Sequence, residues 1–217
     1  MQTRPTLPIL LTFLAGILLA ADSRGQDPRF DLGVRGTVVT AGGEPANDIL
    51  SYGVFGRYRL SERWLLGAAV DQAEFDFERP WRVIGLQQDP SVETIDAIVT
   101  MTTFSGWIER EIGRRERKLK PFWSFGLGFA VPEVDDVTGP LAGGGTFNIE
   151  TDAGTEILAS LTAGIRYALG KRLAAEIAIR VDHHFIDWAV RDRVSGRTGS
   201  PDDYTGIGAH LALMFRF

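Results

Sequence analysis

Chemistry in this chain has few places to start. Of its 217 residues three are histidines, His183, His184 and His210, and acid–base or metal chemistry has to be sought among them. Pairing of the last two strands puts Asp182, His184 and His210 on one inner wall. If the stagger between those strands is small, a carboxylate and two imidazoles come within reach of one another, a set able to hold a metal or switch a proton. Polar groups on such a wall also pair simply as packing, and that reading is adopted: no metal ligand, no cofactor and no catalytic residue is assigned. The chain has no cysteine, which removes disulfides, thiolate catalysis and Cys-ligated metals. No GxSxG, GxGxxG or phosphate-binding glycine loop is present either. Two charged clusters remain. The acidic residues Glu133, Asp135, Asp136, Glu150 and Asp152 are open to divalent-cation bridging or to plain solvation. The basic run Arg114, Arg115, Arg117, Lys118 and Lys120 reads as a wet turn able to touch anionic headgroups.

The elements that must position these groups are strands. With 44% hydrophobic and 24% charged residues, the composition is that of one folded domain, and a net charge of −5 argues against nucleic acid as a partner. The 25 glycines are scattered among Val, Phe, Tyr and Thr, as in many short strands. Period-two alternation marks eight segments, about 30–40, 49–60, 64–75, 94–109, 121–131, 155–169, 172–187 and 204–217. LSER and LGKR are tight turns. The stretches 41–48, 76–93, 132–153 and 188–203 are long, aperiodic and rich in Gly, Pro and Asp. Long and short connections therefore alternate, as in an up-and-down meander with turns at one end and loops at the other.

Period two alone does not say which face is inside; the minority face decides. Leu50, Tyr52, Val54 and Tyr58 oppose Ser51, Gly53, Arg57 and Arg59; Ile157, Leu161, Ile165 and Tyr167 oppose Glu156, Ser160, Thr162, Gly164 and Arg166. Very small residues mixed with charges of both signs fit a narrow lumen closing around paired ions better than they fit a wetted exterior. The expected lumen network is Asp31, Arg35, Arg57, Arg59, Glu156, Arg166, Glu176, Arg180, Asp182, His184 and His210. On the apolar face, Tyr58, Trp64, Trp123, Tyr167 and Phe217 stand at the short-turn ends and make an aromatic girdle, with Tyr52, Phe129 and Phe185 as a second belt. In 64–75 and 94–109 the parity slips, and their facing stays open. The fold expected is all-β, an eight-stranded antiparallel up-and-down transmembrane β-barrel, whose eighth strand must pair with the first because lipid leaves no edge group satisfied.

Residues 1–25 carry one Arg in MQTR, the apolar run Leu7 to Ala21 and small residues around Ala21, Ser23 and Gly25, the pattern of a cleaved secretory signal too short to span a bilayer comfortably. Residues 26–217 then form the barrel domain.

The signal, the eight strands, the segment AGIRYALGKRLAAEIAIRVDHHF and the final FRF resemble the small outer-membrane barrels of Gram-negative bacteria, of the outer-membrane protein A and outer-membrane protein W type. The resemblance implies an outer-membrane location with both termini on the periplasmic side, contact with outer-membrane lipid and lipopolysaccharide, and a monomer. It also implies delivery by periplasmic chaperones and insertion by the barrel-assembly machinery, which reads Leu213, Phe215 and Phe217. The same three residues serve equally as lipid-facing wall. Some such barrels modify lipid A, but the His-x-Ser arrangement resembling the deacylase pattern is missing, since Phe185 stands two residues after His183, so no enzyme is expected. The role expected is envelope integrity or surface contact, with specificity in 76–93, 132–153 and 188–203. A narrow passage for small apolar molecules is the alternative.

Overall fold

A computed structural model describes residues 29–42, 48–77, 97–113, 117–134, 137–140, 145–200 and 203–217; the signal segment and most of 76–93 lie outside them. Alternation is realised as ten strands: β1 (Phe30–Gly42), β2 (Asp48–Arg59), β3 (Trp64–Phe77), β4 (Ala97–Glu111), β5 (Leu119–Val134), β6 (Val137–Pro140), β7 (Thr146–Ala168), β8 (Leu173–Asp192), β9 (Thr198–Gly199) and β10 (Tyr204–Arg216). Eight of them close a ring in the order β1-β2-β3-β4-β5-β7-β8-β10, every pair antiparallel. Closure falls between β1 and β10, where Phe217 N–H donates to Phe30 O at 2.8 Å and Phe30 N–H returns the bond at 3.3 Å. The tight turns are as spaced in the sequence: Leu60 N–H bonds Trp64 O and Leu169 N–H bonds Leu173 O, each at 2.9 Å.

Burial follows the pleat. Leu211 is 64% and Ile179 63% exposed, whereas Arg57 is 2% and Arg166 0% exposed. The apolar set faces outward and the ions inward, the arrangement that a hydrocarbon surround demands and water penalises. Along β7 the outward apolar row runs from Tyr167 to Ile157. That is about 33 Å of strand, or about 25 Å along the axis at a tilt of about 40°, the height of a bilayer's apolar band.

The stretches 132–153 and 188–203, read from the sequence as aperiodic loops, hold regular structure. β7 begins at Thr146 and β8 continues to Asp192, with β6 pairing the start of β7 and β9 the end of β8, so a small sheet stands beyond the barrel. A register shift between Asp152 and Thr155 hid it. Below the shift even-numbered residues of β7 face inward, Glu156 and Leu158 among them; above it odd-numbered Phe147 and Ile149 are the buried ones. The extra residue of a bulge resets the parity, and a fixed period of two does not carry across it.

Candidate functional site

The structure settles the two strands whose facing the sequence left open. In β3, Leu65, Gly67, Ala69, Asp71 and Ala73 are buried inward; in β4, Val99, Met101, Glu109 and Glu111 are buried, with Trp107 packed against the lumen cluster of Phe55, Ala69, Ala174, Ala212 and Met214. Apolar groups inside and Gln72, Glu74 and Arg110 outside are what blurred the alternation. Glycine makes the room. A Cβ on Gly67 would run into the Trp107 ring, and one on Gly53 would run into Val70 O and Asp71 Oδ1.

Two layers of ions fill the lumen. In the layer nearer the short turns, Arg57 Nη1 donates to Glu109 at 2.8 Å and to Glu176 at 2.9 Å, while Arg166 Nη2 donates to Glu109 at 2.6 Å and Glu176 at 2.8 Å. Arg166 Nη1 also reaches Glu111 at 2.6 Å, and Glu111 accepts from Arg59 at 2.9 Å and Lys120 at 3.4 Å. His210 Nε2 meets Glu176 at 2.9 Å, and Arg216 lies 3.8 Å from Asp31. Both central guanidinium groups sit over rings, Arg57 over Phe55 at 4.6 Å and Arg166 over Phe122 at 4.9 Å. The layer nearer the loops is made of separate pairs. Arg35 holds Asp71, with Nε to Oδ1 at 2.8 Å, and lies 5.3 Å over Trp107. Arg180 bonds Asp182 at 2.6 Å, and His184 Nδ1 meets Glu156 while its ring stacks on Tyr204 with centroids 4.3 Å apart.

All eleven residues expected in the lumen lie there, but the three imagined as one centre do not meet. Register places His210 opposite Ala178, Asp182 opposite Gly206 and His184 opposite Tyr204, so His210 is spent on Glu176 in one layer and His184 on Glu156 in the other. Counted from Ala178, the stagger is four residues to Asp182 and six to His184, or about 13 Å and about 20 Å along the strand. Among the described residues no three His, Asp or Glu groups are gathered as metal ligands. His183 faces outward and bonds Thr205 at 2.9 Å.

Sequence reasoning missed Asp71, Glu109, Glu111 and Lys120. Lys120, which the sequence groups with a wet turn, is buried against Glu111. The available signal was charge: five inward arginines faced four inward carboxylates, and buried cations require partners. Of the clusters noted in the sequence, Glu150 pairs with Arg193, Glu133 and Lys118 are exposed, and Asp135, Asp136, Arg114 and Arg115 lie outside the described residues.

The girdle residues stand on the outer face. Trp64 and Trp123 meet edge to face, centroids 5.9 Å apart, and Tyr58 and Tyr167 are each 45% exposed. Phe217 lies beside Phe30 at the closure, and Leu213 and Phe215 face outward on β10.

No protein-family model matches the sequence, and no curated protein does. Solved structures do. Neisserial surface protein A is similar with a TM-score of 0.54 at 13% identity, over 87% of this chain and 97% of that one. The outer membrane protein OprG from Pseudomonas aeruginosa gives 0.52 at 10% identity, over 88% and 97% of the two chains. A major outer membrane protein from Thermus thermophilus gives 0.50 at 12% identity, over 87% and 99%. The fold is that of a small outer-membrane barrel. Such a barrel of eight strands has an interior that side chains can fill, which is what the two ion layers do here.

Proposed function

We propose that this chain is an integral outer-membrane barrel with a structural or surface-contact role and no solute passage along its axis. The observation that supports it is the plug: Arg57 and Arg166, on opposite walls, are tied through shared carboxylates across the whole bore. In this reading the short turns face the periplasm and the sheet built on β6 to β9 stands outside, in lipopolysaccharide and beyond it, where specificity resides. The chain works as a monomer. Periplasmic chaperones deliver it, and the assembly machinery recognises Leu213, Phe215 and Phe217.

The alternative, a narrow path for small apolar molecules, requires moving Arg57 or Arg166 off its partners, which costs a buried uncompensated charge. No catalytic step is assigned to the lumen groups. Membrane location is tested by migration of unboiled against boiled protein from outer membranes: a folded barrel shifts on boiling, and equal migration with detergent-free solubility overturns it. Liposome swelling and planar-bilayer conductance test the plug, with no solute flux expected. Lipid A mass spectra with and without the gene test catalysis, and identical spectra are expected.

A further inference from the structure

Two features of the outer wall lie one above the other on β2 to β5. At the short-turn end the register sets Trp64, Arg110 and Trp123 side by side on the outward face. Arg110 is exposed, its Cζ is 5.5 Å from the Trp64 ring, and no carboxylate pairs with it among the described residues. A guanidinium held exposed at an aromatic girdle has donors open to an anion from outside the protein, and their geometry matches a phosphate. Four residues up the strand, about 13 Å, the wall is hollow. There Gly56, Ala68 and Gly106 stand in register on adjacent strands and floor an apolar groove of about 450 Å³ walled by Val70, Phe104 and Phe129. The separation suits one amphiphile, a phosphate at the boundary with an acyl chain above it.

We propose that this wall binds one anionic phospholipid from the leaflet at the short-turn end, its phosphate on Arg110 beside the paired indoles and an acyl chain in the groove over Gly106. Lys171, exposed at the turn between β7 and β8, lies away from this wall and takes no part in the site. The inference rests on the membrane reading above and adds a lipid of defined charge and side.

Quenching of tryptophan fluorescence by brominated lipid tests it, with the full chain refolded into phosphatidylcholine vesicles holding phosphatidylglycerol. Brominated phosphatidylglycerol should be preferred over brominated phosphatidylcholine by about fivefold. Arg110→Gln should bring the preference to parity, Arg110→Lys should keep most of it, and Lys171→Gln should leave it unchanged. Gly106→Leu fills the groove, since a Cβ there meets only Gly67 O at an ordinary 3.7 Å, and should lower the affinity for both lipids. Equal affinities in the unsubstituted protein, or an undiminished preference in Arg110→Gln, overturns the proposal. Each sample is checked for its migration shift on boiling: a shift without lipid preference refutes the lipid site alone, and loss of the shift in the unsubstituted protein refutes the membrane reading beneath it.

Discussion

Arg57 and Arg166 project from diametrically opposed strands, β2 and β7, and share the same two carboxylates, Glu109 of β4 and Glu176 of β8. Four strands are thereby cross-braced through the bore. Removing one guanidinium leaves buried carboxylates short of charge, so Arg166→Met should lower the unfolding free energy by about 3–5 kcal/mol, read by urea titration in vesicles. The same brace blocks ions. Arg57→Ser should produce discrete conductance in planar bilayers where the unsubstituted barrel shows none, and a silent Arg57→Ser barrel would put the block elsewhere.

Facing can be tested one residue at a time. Leu211, outward and in the middle of β10, should tolerate Phe, while Leu211→Arg should cost about 2–4 kcal/mol in vesicles because the cation meets hydrocarbon near the midplane. Ser105 faces the lumen with its hydroxyl unpartnered among the described residues, so Ser105→Ala should be neutral or slightly stabilising in the same titration.

Beyond the barrel, Asp192 closes the end of β8. Burial would raise its pKa, but bonds from Asn148 N–H at 2.9 Å, Ser195 Oγ at 2.5 Å, Val194 N–H at 3.2 Å and Ser195 N–H at 3.0 Å outweigh it, and the carboxyl is held below the usual aspartate range. A lowered pKa stabilises the charged, folded turn above the ordinary aspartate value of about 4 and loses that contribution as pH falls through the lower folded value. Amide exchange at Ser195 and Val194, corrected for its intrinsic pH dependence, should therefore stay protected from pH 7 to about 4 and lose protection below. Asp192→Asn should flatten that profile.

The last strand separates wall from signal. In Phe217→Ala the backbone closure to Phe30 remains possible, so refolding into vesicles should be nearly unchanged. Recognition during assembly should suffer, and the amount reaching the outer membrane in cells should drop several-fold. A parallel loss in both assays would make Phe217 a structural residue only.

Much of this was legible because hydrocarbon imposes a strict rule on strands. In β2, β7 and β10 the apolar outward row is uninterrupted and in β8 His183 alone breaks it, and the inward Arg57, Arg166, Glu176 and His210 follow from it. β3 and β4 resisted because Leu65, Met101 and Trp107 belong to the lumen and Arg110 to the outside, so chemistry and facing disagree. Half the carboxylates that hold the lower plug, Glu109 and Glu111, were lost with them. Whether Asp182, His184 and His210 meet was open in the sequence for another reason: which residues share a wall depends on parity, while which residues touch depends on stagger, and stagger is fixed by closure of the whole ring.

The bulge between Asp152 and Thr155 marks a waterline. Below it the last greasy outward pair across the β7–β8 ladder is Ile157 with Phe185, and the next pair is Thr155 with Asp187. Above it β7 turns over and hides Phe147 and Ile149 inside. One continuous ribbon thus serves two solvents, oil-facing in its lower course and conventionally folded in its upper, and an extra residue in the ladder performs the exchange. Headgroups should meet the protein at Thr155 and Asp187, and the sheet above them is built like the edge of an ordinary soluble protein carried aloft on a stalk.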